Sequence, residues 1–375
     1  VGLAHGIAPI TIIGAGPAGI ACAWRLAQLG FSPLLIEKES FPRDKVCGDA
    51  LSGKVVALLR KLGGSPLLDD LLQQPFTHPV EHLDFISGKG RRMRLTFPVQ
   101  QGYPQGFVIP RKDFDAWLLR HLPPSVVVRT RTFIRKVERQ TDYWILHTDA
   151  GEKIRSRFVV GADGTASRVA PLIWAYHKVP RPTVFPAVRG YLTGTPPEGL
   201  ELHFRAPYLP GYLWRFPLAG SQLNVGVGLP SQSLKRSALS LRQHLLELFP
   251  PIHSVQGHGI PVSLDWRPLT IPGAALIGDA AALADPFTGE GIGNALLSGI
   301  RLAEALSSLP LSTWGEADLD ALYTRPLYRT LRQEFYLARL LHRLARSPAR
   351  VEALLGILSR FPSWTKPLLH WYGAR

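Results

Sequence analysis

The residues whose spacing most plainly serves chemistry are Gly14, Gly16 and Gly19, in the order Gly-x-Gly-x-x-Gly. They follow the β-branched run Ile10-Thr11-Ile12-Ile13 and precede a helical stretch that reaches Leu29 and stops at Gly30. In such a turn Gly14 takes the tight bend, Gly16 lets the backbone approach a pyrophosphate, and Gly19 packs helix on sheet. The helix N-terminus then faces the phosphate charge. Glu37 ends a second apolar strand 18 residues beyond Gly19, where a carboxylate accepts bonds from ribose hydroxyls. Ala18 and Lys38 stand beside these positions and belong with them. Strand, turn, helix, strand and acid in register predict a dinucleotide site.

The fingerprint alone does not choose between FAD and NAD. Three later features choose FAD. Arg111-x-x-Phe114-Asp115 opens a helix, Gly161-Ala162-Asp163-Gly164 follows a strand, and Gly278-Asp279 follows another. Asp163 and Asp279, at strand ends, can bond the hydroxyls of a ribityl chain. The turn Thr288-Gly289-Glu290-Gly291-Ile292-Gly293 then opens a helix whose N–H groups, at Gly289, Gly291 and Ile292, can meet the polar edge of an isoalloxazine.

In this order the motifs resemble the FAD-dependent aromatic-hydroxylase-type superfamily over residues 10–305. Two segments resemble the geranylgeranyl reductases within it. Pro42-Arg-Asp-Lys-Val-Cys47-Gly-Asp-Ala-Leu-Ser52 is similar to their Pro-Arg-x-Lys-x-Cys-Gly-x-x-x-Ser segment. Tyr212-x-Trp214-x-Phe216-Pro217, followed by Gly226-x-Gly228, is similar to their substrate motif. The resemblance implies an FAD-dependent reductase that saturates isoprenoid carbon–carbon double bonds of a prenyl lipid, prenyl quinone or prenyl diphosphate. Hydride would come from N5 of reduced FAD and a proton would reach the other carbon. It places Cys47 beside the substrate face of the flavin, and Tyr212, Trp214 and Phe216 as walls around the prenyl chain. Composition alone would make Cys47 a small buried hydrophobe, the reading given to Cys22. Electrons would come from NAD(P)H or ferredoxin, because Gly226-x-Gly228 lacks the helix and acid of a second nucleotide fingerprint. The alternative is a monooxygenase or halogenase of the same superfamily. Residues 211–217 are not far from the Gly-Trp-x-Trp-x-Ile-Pro pattern of flavin halogenases, departing at Tyr212 and Phe216.

Positioning these residues asks for an α/β fold: a Rossmann-type FAD-binding domain, an inserted β-rich substrate domain and a C-terminal helical region. The predicted pieces are 1–75, 111–170 and 270–305 for the first, 76–110 and 171–269 for the second, and 306–375 for the third. The chain of 375 residues, 46% hydrophobic and 19% charged, is long enough for this. The segment from Ser52 to Leu62 reads as a helix ended by Gly63-Gly64. His78, His82, His203 and His258 have no ligand spacing and read as structural, and no metal is expected. Arg43 and Lys45 read equally as phosphate contacts or as solvated charge.

The formal charge is +15, and from Arg325 onward ten Arg and Lys stand against Glu334 and Glu352. No zinc-ligand pattern or recognition helix accompanies it, so nucleic acid is not an expected partner. Arg339, Arg343, Arg346 and Arg350 interleave with Leu337, Leu340, Leu341, Leu344 and Leu354 at helical spacing. That pattern suits either anionic lipid, with Pro362, Trp364 and Trp371 at the interface, or packing on the flavin domain. Two cysteines suggest a reducing compartment, hence a cytoplasmic protein or one at the membrane surface. The uncharged stretch before Arg25 is broken by Pro9, Gly14, Gly16, Pro17 and Gly19, and reads as strand, turn and helix rather than a membrane span.

Overall fold

A computed structural model describes residues 6–228, 238–263, 265–365 and 367–369. Its first sheet has eight strands. The strands Val127–Arg129, Leu34–Ile36, Ala8–Ile13, Lys153–Gly161 and Ala274–Leu276 run parallel in that order, with Thr270–Ile271 antiparallel at the edge. Trp144–Thr148 and Ile134–Arg139 extend Lys153–Gly161 as an antiparallel pair. Ile10, Thr11, Ile12 and Ile13 are all buried, so the strand is covered on both faces, which accounts for its unbroken apolar run. Ile13 pairs with both Gly161 and Ile36, and Gly161 with Leu276. The carboxyl ends of these strands are therefore level. Gly14, Glu37, Asp163 and Gly278 follow those ends, at the crevice where open α/β sheets bind ligands.

Helix Pro17–Gln28 begins with proline at its first position and is followed by Gly30 at φ +89°. Helix Ile292–Ser307 packs closely on it. A Cβ at Gly299 would meet the Ala18 carbonyl oxygen and lie 2.9 Å from the Cys22 nitrogen, so only glycine fits there. Cys22 is fully buried in this contact, and burial pushes its thiol up. Within Gly53–Gln73 a kink at Gly64, φ +73°, ends the first helix at the predicted stop; a second helix follows through Pro66, with Leu67, Leu68 and Leu71 buried.

The second sheet has seven strands, in the order His253–Val262, Thr183–Thr193, Gln222–Gly228, Tyr212–Leu218, Leu200–Phe204, His82–Ser87 and Arg92–Thr96. In its register Trp214 faces Gly226 and Tyr212 faces Gly228. A Cβ at Gly226 would meet the Trp214 ring. The Gly-x-Gly pair thus makes room for an aromatic side chain on the neighbouring strand. A three-stranded sheet, Ala50–Ser52, Gly106–Val108 and His78–Pro79, lies between the larger two in sequence.

Helix Arg325–Leu344 belongs to both cores. Leu327, Tyr328, Leu331 and Phe335 pack in the core of the first sheet, while Ala338 and Leu341 pack in that of the second. Helix Pro348–Arg360 lies on strands His82–Ser87 and Arg92–Thr96, with Val351 and Leu355 buried. Most of the interleaved leucines are thus packing residues: Leu337, Leu341 and Leu354 join the second core, whereas Leu340 is exposed. Trp371 and the side chain of Pro362 lie outside the described residues.

Gly299→Val should cost about 1–3 kcal/mol, the usual penalty of overpacking, because backbone rather than a flexible side chain blocks the new group. Thermal denaturation of the variant reads this directly, and an unchanged midpoint would refute the proposed tight contact.

Candidate active site

A cavity of about 790 Å³ opens at the carboxyl ends of the first sheet and reaches the inner face of the second. That size lies within the ~300–1,000 Å³ usual for cofactor and ligand sites. At one end Gly14, at φ +105°, lies so close to the Ala162 carbonyl that no side chain fits. The face of Gly16 is open by contrast: a Cβ there would find only the Arg43 guanidinium, at 3.9 Å. Gly19 and Gly278 lie outside the lining. Gly19 abuts the Gly14 carbonyl, and Gly278, at φ +59°, would place a Cβ 2.8 Å from that of Ala18. Both therefore act through close packing.

Glu37 is buried and accepts the Ala15 N–H at 2.9 Å and the Glu39 N–H at 3.2 Å. Lys38 lines the cavity beside it. Arg111 donates through two nitrogens to Asp115, at 2.7 and 2.6 Å. Arg43 reaches the same carboxylate at 2.9 Å and the Ala15 carbonyl at 3.2 Å. Burial opposes the charge on Asp115, but Arg111 and Arg43 outweigh it and hold the carboxyl below its ordinary range. Arg43 is thus a built part of the cavity wall.

Lys45 donates to Asp279 at 2.6 Å, and with Arg111 it overcomes burial to keep Asp279 ionised below its ordinary range. Asp163 accepts the Arg168 N–H at 2.6 Å through one oxygen. Its other oxygen is buried and has no hydrogen-bond partner among the described residues, and burial pushes this carboxyl up. Helices Pro17–Gln28 and Ile292–Ser307 begin at this cavity at Gly16 and Gly291, neither with a side-chain cap. The N-terminus at Gly16, the Gly291 and Ile292 N–H groups left beside the Glu290-bonded Gly293, an open glycine face and an orphaned carboxylate oxygen are what a pyrophosphate and a polyhydroxyl chain require. The donor set fits FAD.

Toward the second sheet the wall becomes aromatic. Tyr212, Trp214 and Phe216 line it, with ring centroids 6.2 and 6.4 Å apart in succession. The Tyr212 hydroxyl donates to the Thr288 carbonyl, which ties the strand to the turn at 288–293. Burial raises its pKa and keeps it protonated. Cys47 lines the cavity too, and burial pushes its thiol up despite the nearby charge of Arg111.

Several lining residues had no signal in spacing. Lys54 bonds Asn294 at 2.9 Å and pairs with Glu334 of the C-terminal helix, so the tail reaches the cavity. Glu290, pushed up by burial, accepts the Gly293 N–H at 2.7 Å. His258, expected to be structural, lines the cavity and bonds Thr165 at 3.1 Å, with burial and then Lys45 lowering its pKa. His78, His82 and His203 are not in the lining.

The FAD binding domain family matches residues 8–182. The menaquinone reductase of Mycobacterium tuberculosis H37Rv is 32% identical over 328 residues, covering 81% of this chain and 78% of that one. The chain is a member of the geranylgeranyl reductase family. Digeranylgeranylglycerophospholipid reductase of Methanosarcina mazei is 28% identical to this reductase over 79% of the chain and 74% of its own length. A solved geranylgeranyl bacteriochlorophyll reductase-like protein from Thermoplasma acidophilum superposes with a TM-score of 0.80 at 21% identity, over 97% of this chain and 96% of that one. A flavin-dependent brominase shares the fold as well, with a TM-score of 0.76 at 19% identity over 98% and 94%. The reductase is an FAD-dependent oxidoreductase of mixed α/β fold.

Gly16→Val should leave the melting temperature of the cofactor-free reductase within a few degrees, since its Cβ meets open space. It should weaken FAD binding at least about tenfold, roughly 1.4 kcal/mol. Flavin fluorescence titration measures the affinity; wild-type binding would remove this face from the cofactor site.

Proposed function

We propose that the protein reduces isolated carbon–carbon double bonds in the prenyl chain of a lipid, quinone or diphosphate. The observation that carries this is the sharing of one cavity: the fingerprint turn, Cys47 and the aromatic wall of Tyr212, Trp214 and Phe216 all line it. In this reading Gly14, Gly16 and Ala18 meet the pyrophosphate, and Glu37 and Lys38 the adenosine side. Asp163 and Asp279 take the ribityl hydroxyls, Arg111 supports that wall, and Gly291 and Ile292 offer backbone N–H groups to the ring, while Gly289, whose N–H is given to the Asp285 carbonyl at 2.9 Å, shapes the turn. Gly19 and Gly278 permit these approaches by packing. Bound FAD, once reduced, supplies hydride. The chain's own residues supply position, dryness and a proton. An isolated alkene is unpolarised, so apolar walls that orient it and exclude water carry much of the catalysis. Trp214 and Phe216 serve that purpose, Tyr212 holds the wall to the 288–293 turn, and Cys47 is the acid. The donor of electrons is NAD(P)H or a ferredoxin-type protein.

Support for the monooxygenase or halogenase alternative is the fold alone, while the relatives quoted by sequence are named reductases. Under anaerobic conditions the reduced protein should reoxidise with a prenylated acceptor and give a product heavier by hydrogen. A requirement for dioxygen, with oxygen or halogen in the product, would sink the reductase reading. Cys47→Ala should keep its FAD and lose about a hundredfold or more in reduction rate, as loss of a general acid does. Unchanged turnover removes Cys47 from the chemistry.

The same reading places the substrate in a membrane. Among the described residues no helix is long and apolar enough to cross one. Exposed Tyr336, Leu340, Ile357, Phe361 and Trp364 accompany the arginines of the last two helices, and Phe361 stacks on Trp364 at 5.2 Å. Such a surface suits peripheral contact with anionic lipid. Sedimentation with phosphatidylglycerol-containing vesicles should capture the protein at low salt, and Phe361→Ser with Trp364→Ser should release it. Equal capture of the double variant rejects this surface.

A further inference from the structure

Two residues after Cys47, Asp49 stands in the left-handed region at φ +65° with its side chain fully buried. Its carboxylate accepts three hydrogen bonds. Asn224 Nδ2 donates to Oδ2 at 2.7 Å, the Tyr191 hydroxyl to Oδ2 at 2.9 Å, and the Arg111 backbone N–H to Oδ1 at 3.2 Å. All three donors are neutral. Among the described residues no lysine or arginine forms an ion pair with it; the Arg189 guanidinium lies over the Tyr191 ring and bonds Asp44 at 2.5 Å instead. Asp115, on the same wall, takes two guanidinium groups. A buried carboxylate held only by neutral donors is costly, and such groups concentrate where their charge is used.

Asn224 extends the contact. Its Oδ1 accepts the Trp214 indole N–H at 2.8 Å, which fixes the amide orientation. Its Nδ2 then donates to the Cys47 carbonyl at 2.8 Å as well as to Asp49. Between Cys47 and Asp49, a Cβ on Gly48 would lie 2.9 Å from the Phe216 ring, so the turn is pressed against the aromatic wall. The charged and titratable groups facing the Cys47 sulfur are Arg111 and Lys45, which favour thiolate, Asp49, which opposes it, and the Tyr212 hydroxyl.

We propose that Asp49 is a positioning residue for Cys47: its buried charge keeps the neighbouring thiol in the proton-bearing form, and through Asn224 it ties the thiol's turn to Trp214. The proposal rests on the reading of Cys47 as the acid of the reduction. In that step the S–H bond breaks and a C–H bond forms at the alkene carbon that does not take hydride. The S–H electron pair stays on sulfur, and the thiolate regains its proton from water. Burial pushes the thiol up first, and the Asp49 charge adds to it against Arg111, Lys45 and the Asp49 backbone N–H, so the acid is loaded before each turnover.

The test is the pH dependence of Cys47 alkylation by iodoacetamide in the FAD-loaded protein, read by peptide mass spectrometry, with Cys47→Ala as the blank for Cys22. In Asp49→Asn the midpoint should fall by about one pH unit, the effect of losing a nearby like charge. An unmoved or raised midpoint overturns the proposal. The wild-type protein gives a reading that needs no variant to fold. Burial pushes Asp49 up to about 6 against its hydrogen-bond donors and the nearby charge of Arg189. As it takes its proton there it stops opposing the thiolate, so the logarithm of the alkylation rate should flatten across that window. A constant slope through it overturns the proposal equally. Trp214→Phe removes the indole N–H that ties the turn to the wall but leaves the Asn224 donor on Asp49, and should raise KM with the thiol midpoint unmoved; a shifted midpoint would assign the effect to packing and overturn the role of charge. Failure of the Cys47 reading is separable. If Asp49→Asn shifts alkylation but not the alkaline limb of kcat/KM, Cys47 is not the acid, while the hold of Asp49 on its thiol stands.

Discussion

The double grip on Asp115 holds the cavity together. A fully buried carboxylate is costly to ionise, and Arg111 and Arg43 offset that cost together, both reaching its Oδ2. Arg43 also bonds the first turn at the Ala15 carbonyl, and Glu37 returns a bond to the Ala15 N–H. The first turn, the second strand, the loop before Cys47 and helix Arg111–Arg120 are therefore one electrostatic unit. Loss of one partner would leave another buried and uncompensated. Cys47 lies four residues beyond Arg43, so this unit also anchors the segment that carries the thiol.

Two polar systems meet at the cavity with opposite designs. In the cofactor half Asp115 and Asp279 are gripped by cations and held ionised. Around Cys47 the acid Asp49 is held by neutral donors and pushed up. The first arrangement suits a fixed, charged cofactor; the second suits a site where a proton is stored. The aromatic wall faces the same cavity as both, with Tyr212 and Asn224 fastening it to the 288–293 turn and the Cys47 turn.

The cofactor half was legible because its parts are short-range. Gly14, Gly16, Gly19 and Glu37 lie within one β-turn-α-β unit, where spacing along the chain is spacing in the fold. Asp163 and Asp279 could be read from the strands before them. Asp49 and Asn224 could not, being lone polar residues whose meeting spans 175 positions; Lys54 and Glu334 meet across 280. Nothing local marks such a pair. His258 shows the same limit. Gly64 was legible for the same reason as the fingerprint: a local φ of +73° ends the helix where the glycine pair stands, and a separate helix carries Leu67, Leu68 and Leu71. The Gly226-x-Gly228 pair had a visible pattern with a hidden cause, space for the ring of Trp214.

Helix Arg325–Leu344, shared between two cores and bearing Glu334 into the cavity, bears on the order in which the molecule is made. Synthesis proceeds from the N-terminus, and parts fold as they emerge. The fingerprint turn leaves the ribosome well before the helix that joins both lobes, since Gly19 precedes Arg325 in the chain. Until it docks, the apolar faces awaiting Leu331, Phe335 and Leu341 stay open to solvent. The nascent chain thus has a long interval in which a flavin can enter before the cavity acquires its final wall.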